Sequence, residues 1–186
     1  MSAPIPGQTV GPFFGFALPY AGDAELVPVG TPGAIRLYGR VLDGLGQPVP
    51  DALIELWQPA PDGSVVRRPG SLRRDGWTFT GWGRAGTDNA GGYSFTTLLP
   101  GVADGSVARF VALTVFARGL LDRLLTRAYV PGDEQALAAD PLLAALPHDR
   151  RHTLIAEPDT GGLRFDVVLQ GDGETVFLAY SRHPAR

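Results

Sequence analysis

Ala34-Ile-Arg-Leu-Tyr-Gly-Arg-Val-Leu42 alternates apolar and polar side chains and sets Ile35, Leu37 and Val41 on one face. A period of two marks a strand with one face buried. A turn cluster, Asp43-Gly-Leu-Gly-Gln-Pro48, follows at once. The same alternation of strand and stop recurs outward from this stretch. Ala52-Leu-Ile-Glu-Leu-Trp-Gln58 is a second strand, closed by Pro59-Ala-Pro-Asp-Gly63. Gly91 to Leu98 sets Tyr93, Phe95 and Thr97 against Ser94 and Thr96, and stops at Pro100-Gly101. Phe110 to Ala117 is nearly all apolar, which predicts a strand buried on both faces. Leu124 to Val130 ends at Pro131-Gly132, and Leu163 to Leu169 and Thr175 to Tyr180 read as the last strands. Only residues 134–147, rich in Ala and Leu and interrupted by Pro141, predict one or two short helices. Short strands separated by turn signals predict an all-β chain: a single-domain β-sandwich over residues 34–186. Residues 1–33 are rich in Pro and Gly, lack periodicity, and read as an extended N-terminal arm.

Composition agrees with that class. The chain has 186 residues with 25 Gly and 17 Pro, while 44% of its residues are hydrophobic and 19% charged. Such a chain buries a core and turns often. No apolar run reaches the ~18–20 residues of a membrane span. The Met-Ser-Ala-Pro start lacks the basic-then-apolar pattern of a secretory leader. There is no Cys, which excludes disulfides, thiolate metal sites and a Cys nucleophile and fits a reducing cytoplasm. The net charge is −3 and every basic residue is Arg. The densest basic stretch, Arg67 to Arg74, meets Asp75 and does not extend into the stripe that nucleic acid requires. With no Lys, a Schiff base and a P-loop lysine are unavailable.

Most chemistry-bearing residues have a structural explanation. His148 and His152 would share a face of an α-helix, but a third metal ligand is absent nearby, and surface positions at a helix end explain them. His183 lies near the C-terminus. No Gly-x-Ser-x-Gly elbow is present. Asp88, in Gly86-Thr-Asp-Asn-Ala-Gly-Gly92, reads as a turn residue that accepts from backbone N–H groups. Gly81-Trp-Gly-Arg84 is too short for a phosphate loop, and Trp57, Trp77 and Trp82 read as core or interface anchors. Two features resist a purely structural account. The Phe pair in Gln8-Thr-Val-Gly-Pro-Phe-Phe14 sits in an aperiodic arm and needs burial somewhere. Glu55 interrupts the apolar run Leu53-Ile-Glu-Leu-Trp57; it either faces solvent or is paired, with an Arg as the natural partner.

Taken in order, several segments resemble the intradiol ring-cleaving dioxygenases. They are Gln8 to Phe14, Leu37-Tyr-Gly-Arg-Val-Leu-Asp43, Gly46 to Gln58, Gly81 to Thr97, Pro100-Gly101, Val115 to Leu121, Leu125-Thr-Arg-Ala-Tyr129 and Arg150 to Ala156. The resemblance spans nearly the whole chain and implies a sandwich of the intradiol dioxygenase type. It also implies a non-haem Fe(III) held by two Tyr and two His. Ferric iron is hard and prefers anionic oxygen such as tyrosinate, and imidazole completes the set without excess charge. This chain departs from the pattern at each ligand. The positions that match are Val65, Ala103, Phe110 and Ala112, and no Tyr lies between 39 and 92 or between 94 and 128.

The segments Phe116-Ala-Arg-Gly-Leu-Leu121 and Thr126-Arg-Ala-Tyr129 are most similar to the alpha chains of the two-chain members of the family. That similarity implies a partner beta subunit that holds the Fe(III), a hetero-oligomer of αβ units, and 3,4-dihydroxybenzoate as a small aromatic substrate. The alpha chain is then non-catalytic by itself. Carried over by position, Thr9, Gly11, Pro12, Phe13 and Arg127 contribute to the substrate pocket. An aromatic carboxylate favours a planar cation, and a Gly-Pro pair lets backbone approach at a rigid bend. Arg127 has a structural alternative, a salt bridge to a local carboxylate, and the Phe pair has another, interface packing. The alternative for the whole chain is a stand-alone β-sandwich binding module without an enzymatic partner.

Overall fold

The computed structural model describes residues 11, 13–67 and 75–180. Among the described residues, nine strands form two sheets. β1 (Ala34–Leu42), β4 (Gly92–Leu98), β7 (Glu157–Asp159) and β8 (Gly162–Arg164) pair in the order β4-β1-β8-β7, and β9 (Val167–Val168) also pairs with β1. β2 (Leu53–Trp57), β3 (Trp82–Gly86), β5 (Phe110–Phe116) and β6 (Leu124–Tyr129) form the second sheet in the order β3-β2-β5-β6. Alternation decides which side chains lie between the sheets. Leu37, Val41, Phe95, Leu163 and Val167 from the first sheet meet Ile54, Leu56, Val111, Leu113 and Val115 from the second, all buried. Tyr93 is buried with them, donates to the Phe165 carbonyl oxygen at 2.5 Å, and has its ionisation pushed strongly upward by burial.

The expected sandwich is thus observed, with local differences that have physical causes. β5 alternates instead of being buried on both faces: Val111, Leu113 and Val115 point into the core, while Phe110, Ala112, Thr114 and Phe116 are half-buried on the outside. An interior strand of a sandwich has only one face in the core, so its outward apolar residues rely on neighbouring side chains for cover. The strand expected over 163–169 is split into β8 and β9. Between them the Asp166 carboxylate accepts from the Arg40 backbone N–H at 2.9 Å, where a continuous ladder would have placed a carbonyl. Residues 175–180 run beside β6 without forming a ladder; Leu178 N–H donates to the Leu125 carbonyl at 2.7 Å, and the Thr126 hydroxyl to the Val176 carbonyl at 2.8 Å.

β3 has no alternation that marks it as a strand, because two of its five residues are glycine. A Cβ on Gly83 would lie 2.5 Å from Leu26 Cδ1, so glycine there lets the incoming chain cross the sheet. Before β1, the chain is not wholly extended. A short helix, α1 (Phe14–Ala17), buries Phe14 and leaves Phe16 exposed. Leu26 N–H then joins the first sheet by donating to the Thr96 carbonyl at 2.8 Å.

The predicted helices are α2 (Glu134–Ala139) and α3 (Pro141–Ala145). They and a 3-10 helix, His148–Leu154, cover Tyr129, Leu137, Leu143 and Leu154, a second small core at the β6 edge. The 3-10 geometry has three residues per turn, so His148 and His152 do not share a face, and both are exposed. His183 lies outside the described residues. No helix among the described residues is long and apolar enough to cross a membrane. Because Phe95 is fully buried where the two sheets meet, Phe95→Ala is expected to cost about 3–5 kcal/mol of stability, read as a lowered midpoint in urea unfolding.

Candidate functional site

The outward residues of the four-stranded sheet form the candidate site. Backbone pairing sets them in rows. Trp82 pairs with Trp57, Trp57 with Ala112, and Ala112 with Arg127. The neighbouring row runs Arg84, Glu55, Thr114, Leu125, and on the other side Phe110 pairs with Tyr129. Small Ala112 therefore lies between the half-exposed indole of Trp57 and the guanidinium of Arg127.

The guanidinium carbon of Arg127 lies 4.0 Å from the centre of the Phe110 ring. A cation over an aromatic face at that range is attracted by the ring quadrupole. Arg127 Nη1 donates to the Tyr129 hydroxyl at 3.1 Å, and that hydroxyl donates to Asp140 Oδ1 at 2.8 Å. Burial pushes the Tyr129 phenol up to about 12, the Arg127 hydrogen bond opposing and Asp140 reinforcing, so the neutral donor persists across ordinary pH. Asp140 is buried and is also the N-cap of α3, accepting from Leu142 N–H at 3.0 Å and Leu143 N–H at 3.2 Å. Among the described residues no carboxylate pairs directly with Arg127. The salt-bridge alternative for this residue is therefore not what the structure holds.

Glu55, by contrast, is paired. Arg84 Nη2 lies 2.6 Å from Glu55 Oε1, with the side chains only 13% and 21% exposed. The same guanidinium donates from Nη1 to the Leu18 carbonyl at 2.9 Å, and the Arg84 N–H donates to the Asp23 carbonyl at 2.9 Å. One ion pair on the sheet thus holds the arm. Farther along, Arg118 Nε meets Asp51 Oδ2 at 2.5 Å.

The arm residues singled out from sequence are placed in part. Thr9 and Pro12 lie outside the described residues. Gly11 takes φ +80°, the left-handed region that glycine accepts, with open space around it. Phe13 is 73% exposed. Among the described residues no hydrogen bond or ring contact joins Phe13 to Arg127, so the structure does not bring the two predicted elements together within this chain.

The four positions matched to iron ligands lie on this same side of the molecule or in the loops beside it. Phe110 and Ala112 are outward on β5. Val65 is exposed and Ala103 half-buried. Their loops touch at two glycines: a Cβ on Gly63 would lie 2.2 Å from the Val102 carbonyl oxygen, and one on Gly101 2.3 Å from the Gly63 nitrogen. None of the four side chains carries a lone pair, so this chain's own residues do not fit a ferric ion there. An open cleft of about 880 Å³ exists elsewhere, on the outer face of the other sheet, lined by Arg36, Tyr38, Arg40, Asp88, Arg164 and Asp166. Several of its polar groups have partners within the fold. Arg36 Nε donates to Ser94 Oγ at 2.7 Å, Tyr38 donates to Asp159, and Arg164 pairs with Asp166.

A family model described as Dioxygenase matches residues 10–171. The chain belongs to that family, the intradiol dioxygenases. Within the family it is 35% identical to the protocatechuate 3,4-dioxygenase alpha chain of Burkholderia cepacia, over 93% of this chain and 95% of that one. It is 33% identical to the beta chain from the same organism, over 76% of this chain and 66% of that one. Among solved structures, the dioxygenase domain of a dioxygenase–carbohydrate-binding fusion from Streptomyces sp. SirexAA-E superposes with a TM-score of 0.56 at 24% identity, covering 91% of this chain and 99% of that one, a likeness of fold. Intradiol dioxygenases use non-haem iron.

Sequence reasoning missed Tyr129 as the partner of Arg127 and Asp140 as the partner of Tyr129. The signals were present: Tyr129 follows Arg127 by two on a strand, and an Asp directly before a Pro is a helix start. It also left the partner of Glu55 unnamed. Removing the Glu55 carboxylate leaves the poorly exposed Arg84 cation without its counter-charge. Glu55→Ala is therefore expected to destabilise the fold by about 2 kcal/mol, measured by chemical denaturation, whereas Thr114→Ala on the same face changes little.

Proposed function

We propose that this chain is the non-catalytic alpha subunit of an αβ protocatechuate 3,4-dioxygenase. The complex cleaves 3,4-dihydroxybenzoate with O2 between the two hydroxyl-bearing carbons, giving 3-carboxy-cis,cis-muconate. The beta subunit holds the Fe(III) and its ligands, which supply the oxidation chemistry. This chain supplies part of the substrate pocket wall and the interface. One observation carries the reading: the sandwich of the family is intact, yet Phe110 and Ala112 stand where imidazoles are expected, and an unneutralised Arg127 lies over one of them.

The residues that do the work in this chain bind and orient. Arg127 offers a planar fork of donors to the ring carboxylate, the group that distinguishes this substrate from catechol. Thr9, Gly11, Pro12 and Phe13 close the pocket from the arm. Phe13 and Phe16, both well exposed in the isolated chain, become covered against the beta subunit; apolar surface of this size favours association.

Co-expression with a beta chain that keeps its two Tyr and two His should give a coloured, iron-containing, active hetero-oligomer. This chain purified alone should bind no stoichiometric iron and cleave no catechol. Iron bound by the isolated chain with turnover would end the proposal. In the assembled complex, Arg127→Ala is expected to raise KM for 3,4-dihydroxybenzoate by about tenfold, in steady-state oxygen uptake, with a much smaller change in kcat.

A further inference from the structure

Arginine is a flexible side chain with high rotamer entropy, and a flexible cation makes a poor carboxylate receptor. Arg127 is not left flexible. The Phe110 ring lies against one face of its guanidinium at 4.0 Å, and Tyr129 takes one edge through Nη1 at 3.1 Å. A guanidinium carries five N–H donors, and this hydrogen bond occupies one. Tyr129 is itself held, its ring fully buried and its hydroxyl donating to Asp140 at 2.8 Å. Asp140 in turn is fixed by two backbone N–H groups at the start of α3.

We infer that Tyr129 and Asp140 are positioning residues for substrate binding: the buried Asp140 carboxylate orients the Tyr129 hydroxyl, and that hydroxyl aims Arg127 at the carboxylate of the aromatic substrate. The inference rests on the substrate-facing role proposed for Arg127. The choice of a phenol as intermediary has a chemical reason. A carboxylate in direct contact would orient the guanidinium but also neutralise it, and would compete with the substrate anion for the same fork. A neutral phenol restrains the cation and leaves its charge available. Among the described residues Asp140 makes no direct hydrogen bond to the guanidinium; the Tyr129 hydroxyl accepts from Arg127 on one side and donates to Asp140 on the other. The ring of Phe110 acts in the same sense, since a quadrupole attracts the cation without cancelling it.

The test uses the complex with the beta subunit. Tyr129→Phe keeps the buried ring and removes only the hydroxyl. It should raise KM for 3,4-dihydroxybenzoate about fivefold, the size of one hydrogen bond, with kcat nearly unchanged and with no change in KM for catechol, which has no carboxylate. Asp140→Ala should behave alike. Asp140→Asn should restore KM, because the amide oxygen still accepts from the phenol and still caps α3. In an Arg127→Ala background neither Tyr129→Phe nor Asp140→Ala should raise KM further. If Arg127→Ala raises KM but Tyr129→Phe does not, or if Tyr129→Phe acts equally without Arg127, the positioning role is overturned while the substrate role of Arg127 stands. If Arg127→Ala itself leaves KM unchanged, the substrate role falls, and the positioning role with it.

Discussion

β5 is hydrogen-bonded to β2 on one side and β6 on the other, and those two registers decide what stands next to what on the outer face. A slip of one residue would turn Val111, Leu113 and Val115 outward and Phe110 and Ala112 inward. Burial of the first set in the core forbids it. The apolar core therefore does more than stabilise the sandwich. By holding register it sets Ala112 between Trp57 and Arg127 and brings Phe110 beside Tyr129. The outer face inherits its geometry from the inner one.

That outer face holds two arginines in opposite states. Arg84 has its charge matched by Glu55 and uses a remaining donor on the Leu18 carbonyl. Pairing makes it a clamp, whose function is to hold the arm across the sheet. Arg127 is restrained by a ring and a phenol, neither of which carries charge at neutral pH. Lack of direct pairing suits it to the receptor role proposed for it. The distinction follows from the partners and not from depth, since both residues are half-buried. Electrostatic attraction to an incoming anion survives only where no fixed anion has already claimed the guanidinium.

Strands with alternating side chains were readable from the chain alone. Ile35, Leu37 and Val41 share a face as the period requires, and Tyr93, Phe95 and Thr97 do the same. Uniformly apolar β5 misled in one respect, because hydrophobicity reports burial in general and does not distinguish a second sheet from a few covering side chains. β3 was invisible, since a five-residue strand with two glycines shows no period; its place comes from pairing with β2 and from the arm that crosses Gly83. The same limit applies to the site. That Phe110 and Ala112 offer no donor was legible because the chemistry of a side chain can be seen in one dimension. The link from Asp140 to Tyr129 was not, because it closes across eleven residues through a helix start whose cap also serves a side chain.

The apolar side chains at 110 and 112 and the restrained cation of Arg127 belong to one arrangement. A guanidinium 4.0 Å from the centre of the Phe110 ring is in van der Waals contact with the side chain at a position matched to a ligand. An imidazole at 110 would bring a polar nitrogen, and when protonated a like charge, against Arg127. The aromatic hydrocarbon there attracts the cation through its quadrupole instead, and alanine at 112 leaves room beside it. An arginine restrained in this way, with donors remaining among the described contacts, is suited to recognising a carboxylate. Under the proposed function this face is therefore a cationic wall of the pocket, and the partner chain holds the iron.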